Sequence, residues 1–122
     1  MSTSQTAAAI QTVIVEDDVS SRKALVQILT MRGIAAVGVS SLAEALAALA
    51  CRPESVILDL MLPDGNGIEV LRRIRQTGLA IRVAVLSGAD KPMIAEAEKL
   101  GPEAVFSKPV DMGRLLAWLK GG

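Results

Sequence analysis

The segment VILDLMLPDGNG, residues 56–67, decides the fold class of this sequence. Its first three residues are Val, Ile and Leu, a run typical of a strand buried on both faces of a parallel sheet. Asp59 follows within apolar sequence, where a surface acid is not expected. Pro63, Gly65 and Gly67 then predict a tight turn into a helix. We therefore expect Asp59 at the carboxyl end of a central strand, although a strand-terminal Asp can also simply cap its own loop.

Four further short apolar runs extend this pattern to the whole chain. The five predicted strands are residues 12–15, 35–39, 55–58, 82–86 and 104–106. Helix-period segments separate them, with capping residues at Ser41 and Asp111 and helix-ending glycines at Gly33, Gly78 and Gly101. Regular alternation of strands and helices predicts an α/β fold in which helices cover both faces of one parallel sheet.

The composition limits the chemistry that this chain can perform. It has 122 residues, enough for one domain, and its 13 basic and 13 acidic residues balance. No histidine is present, which excludes His-based nucleophile pairs, imidazole metal sites and histidine phosphorylation within the chain. One cysteine and the lack of a signal-peptide pattern indicate a cytoplasmic protein. Residues 1–11 are expected to be a disordered leader, residues 12–120 a single domain and residues 121–122 a tail.

Acidic residues follow the first predicted strand. Glu16, Asp17 and Asp18 would repel one another in a partly desolvated crevice unless a cation were held there, and hard oxygen ligands at such a place suit Mg²⁺. The ordinary structural explanation is a solvated acidic turn that caps the next helix. We assign Asp18 to that capping role.

A hydroxyl and a lysine follow the last two predicted strands. Ser87 precedes Gly88, and Lys108 precedes Pro109, where an X-Pro bond makes a cis peptide accessible. Each is unremarkable alone, as a loop serine or a solvated turn lysine. In a parallel sheet, however, the carboxyl ends of the strands share one edge, so these groups should meet Asp59 and the acids there. Such a set can bind a divalent ion, present a carboxylate nucleophile and neutralise a phosphoryl group.

These residues together resemble the receiver domain of bacterial two-component response regulators. The resemblance covers residues 12–120, and Asp59 precedes Pro63 by four residues and Gly67 by eight, as in the family pattern. It implies a flavodoxin-like open sandwich, with five helices around a five-stranded parallel sheet in the order 2-1-3-4-5.

The resemblance also implies roles for the acids. Asp59 would be the phosphoacceptor. Asp17, Asp59 and the backbone carbonyl of Met61 would ligate Mg²⁺ directly, and Glu16 would act through water. Phosphorylation of Asp59 would add about one negative charge, which hydrogen bonds from Ser87 and Lys108 can meet.

The switch region departs from the family pattern at one position. Ser87 matches the switch hydroxyl, and Lys108 matches the invariant lysine followed by a cis Pro109. The usual Tyr or Phe switch position is Val105 here, and Phe106 should face the opposite side of its strand. We therefore expect the output signal to rely on residues 87–92 and the helix that follows.

The implied reaction defines the expected partners. A phosphoryl group passes from the phosphohistidine of a sensor kinase or phosphotransfer protein to Asp59 and is later hydrolysed, so the chain is a signalling phosphoacceptor rather than an enzyme. The output protein or domain is unknown. No membrane contact is expected, and a basic cluster is attributed to a solvated helix face rather than to nucleic-acid binding. That cluster comprises Arg72, Arg73, Arg75 and Arg82.

Three alternative functions can be weighed against this one, and the sequence disfavours the first two because it lacks the residues that they need. A haloacid-dehalogenase-like phosphohydrolase would need a second acid at the position of Met61. A flavin-binding flavodoxin relative would need a hydroxyl- and Gly-rich loop after the first strand. A receiver-like interaction module that is not phosphorylated is the strongest rival. Whether the chain is a stand-alone receiver or part of a longer regulator is left open, as is its oligomeric state.

Overall fold

The computed structural model describes residues 10–88 and 91–121, which form one parallel sheet with helices on both faces. The sheet strands are β1 (Thr12–Val15), β2 (Ala36–Val39), β3 (Ser55–Asp59), β4 (Arg82–Ser87) and β5 (Ala104–Ser107). Every neighbouring pair is parallel, and the spatial order is β2-β1-β3-β4-β5. The predicted fold class and strand order are confirmed.

Among the described residues, five α-helices connect and cover these strands. They are α1 (Val19–Met31), α2 (Leu42–Ala48), α3 (Ile68–Thr77), α4 (Lys91–Glu98) and α5 (Met112–Leu119), and a 3₁₀ turn (Leu49–Cys51) extends α2. The fourth helix ends two residues earlier than the predicted Leu100. There the Gly101 amide donates to the Glu98 carbonyl, and Gly101 has the left-handed φ of +64° that favours glycine.

The central strands divide the core into two layers because their side chains alternate between the sheet faces. Ile14, Ile57 and Leu86 pack with α1 and α5 on one face. Val13 and Leu58 belong to the layer covered by α2, α3 and α4 on the other. Burial on both faces explains why β1, β3 and β4 consist largely of Val, Ile and Leu.

Side chains cap three helices as the sequence predicts. Asp18 accepts from the Ser21 amide at 2.8 Å at the start of α1, and Asp111 accepts from the Arg114 amide at the start of α5. Ser41 caps α2, but the Glu44 carboxylate accepts from the Ser40 amide rather than from that of Ser41. In a capping box the acid three residues into the helix accepts from the amide of the capping residue itself, so here its partner lies one residue earlier.

The described chain begins before β1. Gln11, which the sequence assigns to the leader, donates its amide to the Ala35 carbonyl and accepts from the amides of Glu54 and Ser55. These backbone bonds extend the sheet ladder one residue before the predicted domain boundary at Thr12. The rest of the predicted leader, residues 1–9, and Gly122 of the tail lie outside the described residues. None of the helices within the described ranges has the length and hydropathy needed to cross a bilayer.

A small antiparallel hairpin follows β3. It pairs Met61–Leu62 with Gly65–Asn66, so that Pro63 and Asp64 form its tip. The Asp64 carboxylate accepts from the amides of Leu42 and Ala43 at 2.7 and 3.0 Å. The predicted turn is thus tied to the start of α2, and these amides hold the pKa of Asp64 below its ordinary value.

Candidate functional site

The carboxyl ends of β1, β3, β4 and β5 line one cleft, as predicted from the strand-end residues. The cleft has a volume of about 560 Å³. It brings together residues up to 92 positions apart in the chain. These are the three acids that follow β1 (Glu16, Asp17 and Asp18) together with Asp59, Met61, Ser87 and Lys108. The shared edge of the parallel sheet places these groups together.

Three carboxylates form the acidic part of the cleft. One oxygen each from Glu16, Asp17 and Asp59 lies within 4.8 Å of the others. Glu16 is 3% exposed and Asp59 is 6% exposed, whereas Asp17 faces solvent. Hard carboxylate oxygens on one partly open side fit the ligand preference of Mg²⁺, which keeps part of its water shell.

The Lys108 ammonium is the cation that the buried acids share. Its Nζ donates to Asp59 Oδ2 at 2.7 Å and to Glu16 Oε1 at 3.1 Å. Burial would lower the pKa of Lys108, but the hydrogen bonds with Asp59 and Glu16 outweigh burial and raise it. Lys108 therefore stays protonated, and three carboxylates with one ammonium leave the cluster with a formal charge of −2.

Burial shifts the pKa of Glu16 in the opposite direction to that of Lys108. It raises the pKa of the Glu16 carboxyl above its ordinary value, although the Asp18 amide and Lys108 act to lower it, and the nearby Asp59 charge adds to the increase. A buried acid whose charged form is disfavoured gains from an added cation. The electrostatics of the cluster thus agree with the ligand chemistry of its oxygens.

Backbone contacts hold Asp59 in place from the side of the hairpin. The Met61 amide donates to Asp59 Oδ1 at 3.0 Å, and the Gly67 amide donates to the Leu60 carbonyl at 2.7 Å. A Cβ on Gly67 would lie 2.4 Å from the Asp59 carbonyl oxygen. Gly67 has an ordinary helical φ, so glycine is required there for space rather than for conformation.

Arg22 supports the acidic turn and was missed in the sequence. Its Nη1 donates to the carbonyls of Glu16 and Asp17 at 3.0 and 3.3 Å. The stem of Arg22 crosses Gly38 of β2, where an added Cβ would lie 2.6 Å from the arginine Cγ. A glycine inside a strand indicates close approach of another group, and that signal at Gly38 could have pointed to this contact.

The residues expected to form the switch lie as the strand pattern predicts. Ser87 is buried at the end of β4, and its carbonyl accepts from the Lys108 amide at 2.8 Å. The Lys108–Pro109 peptide is cis, as predicted. Val105 is 39% exposed, whereas Phe106 packs in the layer of α1 and α5, so the two side chains do face opposite sides. Residues 89 and 90 of the predicted signalling loop, Ala89 and Asp90, lie outside the described residues.

The four arginines of the predicted basic cluster do not share one surface role. Arg72 pairs with Glu69, and Arg75 pairs with Glu103 while donating to the Leu100 and Gly101 carbonyls. Arg82 lies 4.1 Å from the centre of the Trp118 ring and donates to the Trp118 carbonyl. Only Arg73 has no such partner among the described residues.

A family model and individual relatives match this chain. The model described as "Response regulator receiver domain" matches residues 12–120. The acid tolerance regulatory protein ActR of Rhizobium meliloti (strain 1021) is 35% identical over 108 residues, which are 87% of this chain and 56% of ActR. The transcriptional regulatory protein KdpE of the KDP operon in Escherichia coli (strain K12) is 37% identical over 113 residues, 88% of this chain and 48% of KdpE. The chain therefore spans about half the length of these relatives.

Solved structures match over nearly the whole length of both chains. A response regulator receiver protein from Pseudomonas putida superposes with a TM-score of 0.82 at 31% sequence identity. The match covers 93% of this chain and 97% of that one.

Proposed function

The chain belongs to the response regulator receiver domain family, and on that premise we propose that its Asp59 accepts a phosphoryl group in two-component signalling. The observation that carries the proposal is the buried Asp59 carboxylate, 2.7 Å from Lys108 Nζ and clustered with two further acids. A purely structural Asp at a strand end would not need a lysine at 2.7 Å and two neighbouring carboxylates.

The proposed transfer follows from the chemistry of a carboxylate nucleophile. A lone pair of an Asp59 carboxylate oxygen attacks the phosphorus of a phosphohistidine on a partner protein. The O–P bond forms as the P–N bond breaks, and the leaving imidazole nitrogen keeps the bonding pair. Later attack of water on phosphorus returns the carboxylate and releases inorganic phosphate. The chain is thus a signalling phosphoacceptor, not an enzyme that acts on a separate substrate.

The acidic cluster would hold the metal ion that this transfer requires. Asp17, Asp59 and the Met61 carbonyl are the proposed direct ligands, with Glu16 acting through water. When bound, Mg²⁺ supplies positive charge to the phosphoryl oxygens. Glu16 and Asp17 are oriented for this role by Arg22, which binds both their carbonyls.

The proposed switch begins with the two polar groups beside Asp59. Lys108 would pass from the Asp59 carboxylate to a phosphoryl oxygen, and the Ser87 hydroxyl would donate to another. Both groups lie at the ends of neighbouring strands, since Ser87 is in register with Ser107. Movement of Ser87 would shift residues 87–92 and the start of α4, with Val105 supplying no aromatic ring to report it.

The partners follow from the family and from the length covered. We propose a sensor histidine kinase or phosphotransfer protein as the phosphodonor and an output protein or domain as the recipient of the signal. We also propose that residues 12–120 form the complete receiver unit, because the described strands and helices all lie within them.

Incubation with Mg²⁺ and phosphoramidate, a small phosphodonor, tests the proposal without the unknown kinase. We expect the intact mass to rise by one phosphoryl group, with the group mapped to Asp59. Asp59→Asn should abolish this gain, and removal of Mg²⁺ with a chelator should prevent it. Asp18→Asn is the matched control, because it alters an acid in the same cleft that caps α1 and should leave the gain intact.

The same experiment separates the proposal from its strongest rival. A receiver-like interaction module that is not phosphorylated would show no mass gain with or without Mg²⁺. A gain that persists in Asp59→Asn would place the phosphoryl group elsewhere and would also contradict the proposal.

A further inference from the structure

A second cleft lies between α2 and α3, away from the carboxyl ends of the strands. It has a volume of about 540 Å³. Leu46 and Leu79 are half-buried in its lining, Leu49 is buried, and the guanidinium-bearing residues are Arg52 and Arg73. The described lining contains no carboxylate and no aromatic ring. The charged side chains that line the cleft are therefore all positive, and they lie beside leucine side chains.

The two arginines of this cleft differ from their neighbours on α3. Arg72 and Arg75 have carboxylate partners in Glu69 and Glu103. Within residues 10–88 and 91–121, neither Arg52 nor Arg73 has an ion pair or a side-chain hydrogen bond. Both guanidiniums of the leucine-bearing cleft thus lack a partner among the described residues, as do those of Arg32 and Arg114 elsewhere.

The backbone of Arg52 independently indicates a binding role for this cleft. Its φ is +50° and its ψ is 59°, the left-handed region that favours glycine, and it is the only described non-glycine residue with a positive φ. The following Pro53 restricts the preceding residue further. Strained backbone of this kind occurs often at binding sites, where the side chain has a use that outweighs the cost.

We propose that the cleft between α2 and α3 docks an acidic, leucine-bearing peptide segment of a partner protein. Arg52 and Arg73 would bind its carboxylates, and a leucine-type side chain would pack against Leu46, Leu49 and Leu79. A guanidinium matches the geometry of a carboxylate, which it can bind through two parallel N–H bonds. A nucleic acid fits less well, because single-stranded bases need aromatic platforms that this lining lacks. The proposal does not depend on phosphorylation of Asp59.

Titration of the isotope-labelled full chain with a fluorescent helical probe tests this docking. The probe carries leucines on one face flanked by glutamates, and its scrambled form spreads the same residues around the helix. We expect saturable binding of the probe only, weakened by salt, with amide shifts centred on Leu46, Leu49 and Thr77. The double variant Arg52→Gln/Arg73→Gln should weaken binding at least about tenfold. Arg72→Gln, next to Arg73 on α3, is the matched control and should change affinity less than about twofold.

The variant Arg52→Gly separates a binding role from a structural one. Glycine relieves the left-handed backbone and removes the guanidinium, so the denaturation midpoint should rise while probe affinity falls. A lower midpoint would show that the Arg52 side chain serves the fold and would overturn the proposal.

Four other results would also overturn the proposal. They are absence of saturable probe binding, equal binding of the scrambled peptide, unchanged affinity in the double variant, and tighter binding of a single-stranded oligonucleotide at the same amides. Shifts at these amides that depend on the chain's own concentration would assign the cleft to a second copy instead.

Discussion

At the amino ends of β1 and β3, the Thr12 and Ser55 hydroxyls share a hydrogen bond of 2.9 Å. At the carboxyl ends of the same strands, Glu16 and Asp59 are two buried acids that share one lysine. Both ends bury polar groups against the same apolar interior. The amino end is neutral and internally satisfied, whereas the carboxyl end carries a formal charge of −2 with Asp17 included.

The difference separates polar groups that serve the fold from those that serve a ligand. Each hydroxyl at the amino end has its partner within the chain, and Arg82 is likewise held by Trp118. Burial of uncompensated charge is costly, so the acids at the carboxyl end persist only if something else neutralises them. Four predictions test this contrast.

Gly67→Ala should have the largest effect on stability. The new Cβ would lie 2.4 Å from the Asp59 carbonyl oxygen and 3.0 Å from Leu60 Cα. Both are backbone atoms, so relief of the clash requires a displacement of the main chain. We expect the free energy of unfolding to fall by about 3 kcal/mol, measured by urea denaturation. Gly88→Ala, at the end of β4, is the control because its Cβ would meet open space, and it should change stability by less than about 0.5 kcal/mol. Equal losses in both variants would show that the site backbone is no tighter than an ordinary loop.

Lys108→Met should have the next largest effect, because it leaves Glu16 and Asp59 without a cation. We expect a loss of about 2 kcal/mol in metal-free buffer, less than for a fully buried pair because Lys108 is 35% exposed. The loss should shrink when Mg²⁺ is added, since an ion can then neutralise the carboxylates. Urea denaturation with a chelator and with Mg²⁺ measures both values, and an identical loss in the two buffers would contradict the electrostatic account.

Thr12→Val should cost less, because it breaks one neutral hydrogen bond at the amino end. Ser55 would then be a buried hydroxyl without this partner, at a cost of about 1 kcal/mol. Adding Ser55→Ala should recover part of the loss, because both polar groups are then gone. If the double variant is instead less stable than Thr12→Val by the full cost of a second hydrogen bond, Ser55 must have another partner besides Thr12, which would contradict a hydrogen bond confined to these two hydroxyls.

Asp64→Asn should have the smallest effect and should show it mainly in acid. The pKa of Asp64 is lowered in the folded chain by the Leu42 and Ala43 amides, so the unfolded state binds more protons. The stabilisation is therefore present above the unfolded pKa near 3.8 and lost as pH falls through the lower folded value. The fall in stability of the wild type below about pH 4 should be shallower in the variant. Identical pH profiles would show that the exposed carboxylate contributes nothing through its charge.

Local sequence was sufficient to predict the strands, the helices and the α/β class, and to place the strand-end residues at one edge, whereas the strand order came from the family resemblance. Runs of Val, Ile and Leu and helix-capping residues can be recognised from a few neighbouring positions. The topology of a parallel sheet then brings the strand ends together. Asp59, the neighbouring acids and Lys108 could be placed at one edge for that reason. The distances between them, and their roles in phosphoryl transfer, did not follow from spacing.

Contacts between distant segments were not predictable in this way. Arg22 reaches the acidic turn only because Gly38 of the neighbouring strand leaves room for its stem. Asp64 binds amides about twenty residues earlier in the chain, and two-residue strands such as Met61–Leu62 are too short to show alternation. The left-handed backbone of Arg52 has no local signal either, since the following Pro53 predicts extended geometry.

The charge excess at the carboxyl ends is tested most directly by the effect of Mg²⁺ on stability. Urea denaturation of the wild type at a Mg²⁺ concentration roughly ten times the dissociation constant should raise the free energy of unfolding by about 1.4 kcal/mol. Asp17→Asn should remove most of this gain, whereas Thr12→Val at the opposite end should keep it in full. A wild type that Mg²⁺ does not stabilise, or an Asp17→Asn variant that it stabilises equally, would contradict a cation site formed by these carboxylates.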